Sequence, residues 1–325
     1  MSSPFLLSVI IPCYNCQDYI YECLQSVCSQ VDDSVEVIVI NDGSTDNSLK
    51  KIESFIKQSS RTVKVISQDN QGISIARNNG IEASSGKYIA LLDGDDLWAP
   101  SFWGKIRPII ESNEIDLIEF NIKVFYEYDN KMKIPSITSS DGHFKINSIS
   151  DLRETFQKSQ WYAWARVYKK DLFNELRFPT GRRYEDVALL PKIYLSAKEI
   201  HRITDELVLY RIRQGSITNS TTSMDIDDII YALGVFKELA DDKTKYEIEI
   251  ISPSVYITYN LARKISKKVY GYCFFNNEQI RSIKKALKPY IKTQKTSRRI
   301  RLFFIREFCL VNKLKYKLRV LAGTK

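Results

Sequence analysis

The sequence predicts an α/β protein with a mostly parallel sheet and helices on both of its faces, followed by a helical C-terminal region. In the first hundred residues, segments with helical spacing alternate with four short apolar runs, at 8–11, 35–40, 63–67 and 87–92. Apolar strands separated by helices of about a dozen residues are typical of parallel sheets that are buried on both faces. From about residue 225 the helical spacing continues to the end. These observations predict two domains, at 1–225 and 226–325.

The helices are predicted from their apolar spacing and from the residues that bound them. Ser44 or Thr45 can cap the second helix, and Gly86 ends the third. Residues 115–150 indicate further strands and a polar loop, and residues 200–210 indicate one or two strands. The predicted helices cover 19–29, 44–58, 73–84, 150–157, 185–197, 225–239, 255–269, 278–290 and 297–321.

The net charge of +9 conceals a strong asymmetry along the chain. Residues 1–261 contain 29 Lys and Arg against 37 Asp and Glu, whereas residues 262–325 contain 19 against two. A mildly acidic part therefore carries a basic tail, which indicates either a solvated helical face or attraction to anionic lipid or nucleic acid. We find no basic-aromatic groove or nucleic-acid recognition motif, so a nucleic-acid partner is not expected.

The hydropathy and the N-terminal sequence predict a cytoplasmic protein. The sequence has no run of about 18 apolar residues, the length that a helix needs to span a bilayer. Its N-terminus lacks the features of a secretion signal. The six cysteines are therefore expected to be reduced. Cys13 and Cys16 have the CxxC spacing of redox sites, but ordinary buried thiols are the favoured interpretation.

Polar clusters follow the first, second and fourth apolar runs, where ligands bind in parallel sheets. They are Tyr14-Asn15, Asn41-Asp42-Gly43 and the acidic turn 93–96, which reads Asp-Gly-Asp-Asp. Because two like charges about 4 Å apart repel by roughly 4 kcal/mol, three carboxylates on one turn favour a bound cation. A hard ion such as Mg²⁺ or Mn²⁺ prefers such oxygen ligands. The alternative is a solvated acidic turn that caps the next helix.

Four segments, in this order and spacing, resemble the family 2 glycosyltransferases of the GT-A fold. The segments are 8–15 (SVIIPCYN), 39–46 (VINDGSTD), 70–80 (NQGISIARNNG) and 91–96 (LLDGDD). The resemblance covers about residues 6–215. It implies a GT-A domain that transfers a sugar from a nucleotide donor, with a metal bound at the acidic turn. It is similar to the bacterial type that builds O-antigen or capsular polysaccharide.

The resemblance also implies roles for individual residues at the donor site. Tyr14 would stack on uracil, with Pro12 shaping its turn, and Asp42 would accept the N–H of the base, which favours a uridine nucleotide. Arg77 would lie near the base or the diphosphate, where its planar fork suits oxygen acceptors.

In the acidic turn, the resemblance makes Asp95 the main ligand of Mn²⁺ or Mg²⁺. Asp93 would lie by the ribose and the metal. Asp96 would assist in the metal shell or orient the sugar.

An inverting sugar transfer needs a base for the acceptor hydroxyl. The family often places a Glu-Asp pair at the start of a later helix, and Glu185-Asp186 matches that pattern. We predict Asp186 as the base and Glu185 as an acceptor-binding neighbour. The alternative is that both acids stabilise the N-terminus of the helix.

Two further segments resemble this branch of the family. The segment 161–166 (WYAWAR) precedes the Glu-Asp pair, and the rings of Trp161 and Trp164 could floor an acceptor sugar or belong to the core. The segment 210–218 (YRIRQGSIT) resembles a loop that closes over the diphosphate. Some relatives carry a metal-binding His there, but this chain has Arg and Gln, so Arg211 or Arg213 could neutralise the diphosphate directly.

The basic tail interleaves cations with large apolar residues at 298–306 and 313–319, as in a helix lying at a membrane interface. Each cation near an anionic leaflet contributes about 1 kcal/mol. We therefore expect peripheral attachment to the inner face of the cell membrane. The alternative is a helix packed on the catalytic domain.

The predicted function is an inverting, metal-dependent transfer of a hexose from a UDP-sugar to a saccharide on polyprenyl diphosphate. Glucose or galactose is favoured as the sugar, N-acetylglucosamine is the expected acceptor, and an N-acetylhexosamine donor is the alternative. Competing functions are a nucleotidyltransferase, a glycosidase, and a non-enzymatic protein that binds nucleic acid or anionic surfaces through the tail. The Gly-rich loop and catalytic Lys expected of a nucleotidyltransferase are missing, and the metal turn disfavours a glycosidase.

Overall fold

The computed structural model describes residues 5–112, 114–126, 134–213 and 221–321. The chain forms two compact units, each made of several segments. The first unit consists of Met1–Asn147, Gln160–Gly181 and Leu189–Gln214, and the second of Ser148–Ser159, Arg182–Ala188 and Gly215–Lys325. The contiguous boundary near residue 225 stays a prediction.

The first unit is organised by a nine-stranded sheet. Its order is β3-β2-β1-β4-β8-β6-β9-β5, and β7 also pairs with β9. The strands are β1 (Phe5–Cys13), β2 (Val35–Asp42), β3 (Val63–Gln68), β4 (Gly86–Leu91), β5 (Leu97–Trp98), β6 (Leu117–Tyr126), β7 (Gly142–Lys145), β8 (Arg166–Lys169) and β9 (Glu199–Ile212).

The four apolar runs of the sequence form the parallel part of this sheet, as predicted. β1 pairs in parallel with both β2 and β4, and β2 pairs in parallel with β3. β1 is buried from Leu7 to its end at Cys13, and its residues there are apolar except for Ser8. Such a run is typical of a parallel strand that is covered on both faces.

The later strands make the sheet mixed rather than mostly parallel. β8 runs antiparallel to β4 and β6, and β9 runs antiparallel to β5 and β7 but parallel to β6. These strands are short or polar on one face, so their direction could not be derived from an apolar run.

The structure contains α-helices along the whole described chain, and those of the first half lie close to their predicted positions. They are α1 (Ile20–Cys28), α2 (Ser48–Gln58), α3 (Ile73–Ala83), α4 (Phe102–Glu111), α5 (Arg153–Lys158), α6 (Glu185–Ser196), α7 (Met224–Leu239), α8 (Lys245–Tyr270), α9 (Asn277–Leu287), α10 (Thr296–Phe303) and α11 (Ile305–Leu321). A helix after the acidic turn was expected without bounds, and α4 lies there. The other helices overlap predicted segments, but the N-cap of α2 is Asn47 and not the predicted Ser44 or Thr45.

Two of the predicted helices differ from those that the second unit contains. α8 begins ten residues earlier than the predicted position 255, because a reciprocal cap between Thr244 and Glu247 starts it and Pro253 is accommodated inside it. The single helix predicted at 297–321 is broken at Phe304, which ends α10 with non-helical dihedral angles. A proline inside a helix and a local break are both set by tertiary packing rather than by apolar spacing.

Two further observations concern cysteines and the membrane. All six cysteines are free and buried, in agreement with the expected reduced thiols. Among the residues that the structure describes, no helix is both long enough and apolar enough to cross a bilayer.

Candidate active site

The loops that follow β1, β2 and β4 meet at one edge of the sheet. The backbone N–H of Asn15 donates to Ser44 Oγ at 3.2 Å, which ties the first loop to the second. The acidic turn packs on the first loop so closely that a Cβ added to Gly94 would lie 3.1 Å from the carbonyl oxygen of Pro12. The structure therefore brings together the three polar clusters that the sequence places at strand ends.

Tyr14 lies at the exposed side of this edge. Its side chain is 45% exposed, whereas Pro12 is buried within β1 opposite Ile40. The next residue, Asn15, has φ of 51°, a left-handed conformation that asparagine tolerates better than most residues. This turn directs the chain from β1 towards α1 and leaves a face of the Tyr14 ring accessible to a planar ligand.

Asp42 is buried and its carboxylate holds the loop that begins α3. Its Oδ1 accepts hydrogen bonds from Gln68 Nε2 at 2.8 Å and from the backbone N–H of Gln71 at 2.9 Å. Its Oδ2 accepts the backbone N–H of Gly72 at 2.9 Å, where φ is 87°. A carboxylate offers about four acceptor positions, so three bonds leave room for one ligand donor. Asp42 thus shapes the loop, a structural task that the sequence did not reveal.

Arg77 lies beneath the acidic turn. Its guanidinium donates to Asp93 Oδ1 at 2.8 Å, and it stands 5.3 Å from the ring centre of Phe178. Because the Arg77 side chain is only 4% exposed, it stabilises the turn from the inside.

Arg211 in β9 and Arg213, just after this strand, also hold the acidic turn. Arg213 Nε donates to Asp95 Oδ2 at 2.7 Å. The backbone N–H of Arg211 donates to Asp96 Oδ1 at 2.8 Å, and its Nε donates to the carbonyl of Asp95 at 2.9 Å. The guanidinium of Arg211 also pairs with Glu22 at 2.6 Å. Repulsion among the three carboxylates is therefore reduced by arginines of this chain. The sequence analysis had expected a bound cation to reduce this repulsion and the arginines to lie near the diphosphate.

The electrostatic state of the turn follows from burial. Burial raises the pKa of Asp96 well above its ordinary value, and the charges of Asp95 and Asp93 raise it further. Burial also raises the pKa of Asp95, followed by the charge of Asp93, while the bond from Arg213 opposes the shift. Within the described residues, Oδ2 of fully buried Asp96 has no hydrogen-bond partner. The turn therefore concentrates negative charge that burial disfavours, which suits a site that binds positive charge.

The aromatic segment before β8 is largely internal. Trp161 and Trp164 are only 4% and 6% exposed. Trp164 stacks on Tyr210 with ring centres 5.0 Å apart, and Tyr162 stacks on Trp164 at 5.3 Å. Both tyrosines are partly exposed, so they offer more ring surface to a sugar than the two tryptophans do. The acceptor role of Trp161 and Trp164 stays a prediction, and their burial favours the core alternative.

Arg166 fixes this aromatic segment from below. It is fully buried, and its guanidinium donates to the carbonyls of Gln160 and Tyr162, each at 2.5 Å. Its Nε donates to the Tyr194 hydroxyl at 2.7 Å, and that hydroxyl donates in turn to Glu119. Arg166 ends the segment 161–166, but nothing in the sequence of that segment indicates that its arginine is buried.

In the second unit, Glu185 and Asp186 occupy the first turn of α6 and are partly exposed. The residue before them, Tyr184, has φ of 61°, and its pKa is raised to about 12 by burial and by the charge of Asp225. A left-handed tyrosine is costly and persists where its surroundings hold it.

Two aspartates of α7 hold the segment that leads into the Glu-Asp pair. Asp228 accepts the backbone N–H of Arg183 at 3.1 Å and the guanidinium of Arg182 at 3.1 Å. The buried Asp225 pairs with Arg183 at 2.7 Å and accepts the backbone N–H of Thr222 at 2.6 Å. The sequence analysis missed both aspartates, because acids at the start of a helix are common for reasons of helix stability alone.

The loop predicted to close over the diphosphate lies partly outside the described residues. Residues 210–213 are among the described residues of the first unit. Residues 214–220 lie outside the described residues, and they include Gln214, near which some relatives carry a His.

The comparisons with known proteins decide the family. The family model "Glycosyl transferase family 2" matches residues 8–177, more than half of the chain. The chain belongs to glycosyltransferase family 2. It is a glycosyltransferase with the GT-A fold, as the resemblance predicted.

Individual relatives agree with this assignment. The chain is 33% identical over 231 residues to the glycosyltransferase GlyG of Streptococcus pneumoniae serotype 4, covering 65% of this chain and 72% of that protein. Among solved structures it is similar to S. aureus TarS 1–349 in complex with UDP-GlcNAc, with a TM-score of 0.72 and 19% identity. That similarity covers 98% of this chain and 93% of the TarS chain.

A second solved structure shares the fold at greater distance. The mannosyltransferase PcManGT from Pyrobaculum calidifontis, in complex with GDP-Man and Mn²⁺, has a TM-score of 0.55 and 14% identity. It covers 98% of this chain and 88% of that chain. At such identities the two structures support the fold alone.

The residues of this glycosyltransferase fit one mode of metal binding and not another. Among the described residues, no three His, Cys, Asp or Glu side chains are grouped to hold an ion by themselves. Mg²⁺, however, usually binds through one or two carboxylates and takes its other ligands from water and substrate phosphates. The side chains of Asp93 and Asp95 are 26% and 22% exposed and can supply such carboxylates. The turn therefore fits an ion shared with a diphosphate.

Proposed function

We propose that this glycosyltransferase transfers a hexose, with inversion, from a UDP-sugar to a saccharide carried on polyprenyl diphosphate. The reaction would contribute to a bacterial surface polysaccharide such as O-antigen or capsule. The observation that carries the proposal is the sheet edge where exposed Tyr14, the loop held by Asp42 and the acidic turn come together.

The donor site supports a uridine nucleotide. Tyr14 presents an accessible ring for stacking, and the Asp42 carboxylate retains one acceptor position for a base N–H. The complex of TarS with UDP-GlcNAc supports the same nucleotide, and it also supports an N-acetylhexosamine donor beside the favoured glucose or galactose. Arg77 would act mainly by holding Asp93 in place.

Asp95 and Asp93 would hold Mn²⁺ or Mg²⁺, and the Mn²⁺ in the PcManGT complex supports this choice. When bound, the ion would supply positive charge to the departing diphosphate. Asp96 would keep the turn in shape through its bond from the Arg211 backbone. Arg213 now pairs with Asp95, and its charge would be available to diphosphate oxygens once Asp95 ligates the ion.

The transfer needs a base on the acceptor side, and we assign this role to Asp186. Its carboxylate would take the proton of the acceptor hydroxyl as that oxygen forms a bond to the anomeric carbon. The bond from that carbon to the diphosphate oxygen would break at the same time, and UDP would leave with the electron pair. Glu185 would bind the acceptor. The bonds from Arg182 and Arg183 to Asp228 support a fixed position for this pair.

The C-terminal helices support attachment to an anionic membrane surface from the cytoplasmic side. From Leu310 onward every described residue of α11 except Asn312 is exposed, including Leu314 at 61% and Leu318 at 65%. Aliphatic side chains exposed among lysines are typical of helices at a membrane interface. Such attachment would bring the enzyme to a lipid-linked acceptor.

The experiment that tests the proposal measures UDP release from a panel of UDP-sugars, with and without Mn²⁺. The assay includes a synthetic lipid-diphosphate N-acetylglucosamine acceptor. We expect acceptor-stimulated, metal-dependent release from one donor, with at least a 100-fold loss in Asp95→Ala, because charge stabilisation of the leaving group is commonly worth that factor. The matched control is Asp171→Ala, an exposed carboxylate of the same unit that lies outside the strand-end loops. Release that is equal with and without metal, or equal in wild type and Asp95→Ala, contradicts the proposed mechanism.

A further inference from the structure

A cationic groove lies between α9 and α11 in the second unit. One cavity of about 610 Å³ is lined by Ile280, Arg281 and Lys284 of α9 and by Arg306 and Glu307 of α11. A second cavity of about 290 Å³ shares Ile280 and Arg306 with the first and continues to Leu310 and Lys313. The two cavities therefore form one groove with Arg306 at its centre.

The positive charge of this groove is poorly compensated. Four cations line it, and Glu307 is the single acid among the lining residues. Within the described residues, no salt bridge involves Arg281, Arg306 or Lys313. The ammonium of Lys284 lies 5.8 Å from the ring centre of Phe303. Exposed cations that converge without acidic partners are suited to a polyanionic group.

Apolar side chains stand at the rim of the same groove. Leu310 lines the smaller cavity and is 55% exposed. Phe303, whose ring lies beside Lys284, is 71% exposed. The helix is nevertheless anchored to its own unit, because Ile305 and Cys309 are only 2% and 6% exposed. The rim thus offers hydrocarbon surface beside the cations on a fixed element.

We propose that this groove binds the phosphate headgroup of an anionic phospholipid, with the acyl chains against Leu310 and Phe303. Arg281 and Arg306 contact the phosphate from the two helices, and Lys284 and Lys313 flank it. The inference rests on the proposed membrane association and makes it specific: a built headgroup site rather than charge spread along the tail. A phospholipid is favoured over RNA because the exposed side chains that continue from the groove along α11 include aliphatic Leu310, Leu314 and Leu318. These side chains can contact acyl chains, whereas they offer no ring on which bases could stack.

The test measures partitioning of the full chain onto vesicles by sedimentation. One vesicle contains phosphatidylglycerol, and a second has the same surface charge from oleate, which has no phosphate. The groove variant is Arg281→Gln with Arg306→Gln. The matched control is Lys315→Gln with Lys317→Gln, which removes the same charge from exposed positions of α11 outside the groove.

Each cation near an anionic leaflet is worth about fivefold in partitioning. We therefore expect both double variants to lose up to about 25-fold on oleate vesicles. On phosphatidylglycerol vesicles the groove variant is expected to lose about tenfold more than the control, because charge-assisted bonds to phosphate are lost as well. Equal losses of the two variants on both vesicles overturn the proposal in favour of delocalised attraction. A selective loss of RNA binding in the groove variant, with equal vesicle binding, overturns it in favour of nucleic acid.

Failure of this inference is distinguishable from failure of the proposed function. Vesicle partitioning requires no sugar donor, and the UDP-release assay with the synthetic acceptor requires no phosphatidylglycerol or oleate vesicle. Thermal denaturation of both variants checks that the exposed substitutions leave the fold intact. Headgroup-selective binding without transferase activity would support the groove and contradict the proposed reaction.

Discussion

Replacing Asp42 by Asn tests whether this residue is a scaffold for the donor loop or only a contact for the base. The carboxylate accepts three hydrogen bonds in a buried position, two of them from the backbone N–H groups of Gln71 and Gly72. An amide can keep one oxygen towards Gln68 and Gln71, but its NH₂ group then faces the N–H of Gly72. One charge-assisted bond is lost and one buried donor is left without a partner, so we expect a loss of about 2–4 kcal/mol in the free energy of unfolding.

The assay is urea denaturation, followed by fluorescence, together with UDP binding by calorimetry. A loss of this size lowers the urea midpoint by roughly 0.5–1 M, since the midpoint is the free energy divided by the denaturant slope. UDP affinity falls as well, because the loop that begins α3 is no longer fixed. Asp69→Asn is the matched control, an exposed aspartate next to the same loop, and should change neither quantity. A variant with an unchanged urea midpoint but weaker UDP binding would refute the scaffold role and leave only the base contact.

Two stability predictions rest on the first unit. Gly86→Ala should destabilise the protein by about 1–3 kcal/mol, because the added Cβ would lie 2.5 Å from the backbone nitrogen of Ser8. In helix α4, a Cβ added to Gly104 meets no atom of another element within 4 Å, so Gly104→Ala should instead stabilise the protein by about 0.5–1 kcal/mol. Urea midpoints of the pair test this, and shifts of the same sign would contradict it. Hydrogen bonds from Ser34 lower the pKa of Asp32 to about 2. Since the folded pKa lies below the unfolded one, the stabilisation is complete above about pH 4 and is lost as the pH falls towards 2. The difference in urea midpoint between wild type and Asp32→Asn should therefore shrink from pH 6 to pH 3, and a constant difference would argue against the cause.

Most of the parallel sheet, and the edge at which its polar loops meet, could be predicted from the sequence, because both depend on local patterns. In β2, residues 37–40 are apolar and buried, and polar Asn41 and Asp42 follow at once where the strand reaches the sheet edge. The same short segment therefore indicates both the buried strand and the position of the polar cluster. The later strands could not be oriented in this way, since β8 has four residues and its antiparallel pairing is fixed by partners distant in the chain. The start of α8 was missed because Pro253 predicts a helix boundary where the structure has none.

The roles of the arginines were decided by tertiary structure alone. The sequence identifies three neighbouring carboxylates at 93–96 and the repulsion among them, but not which positive charges reduce it. Arg77 reaches the turn from α3, whereas Arg211 in β9 and Arg213 just after this strand come from more than a hundred residues later. The bonds from Asp225 and Asp228 to Arg183, in the segment before Glu185, likewise join separate parts of the chain.

Sequence by itself determined the family, the sheet edge and the residue types of the site, because these are local in the chain. Which charges pair, and which rings remain exposed, only the packed structure decides, because electrostatic and stacking energies depend on distances in space.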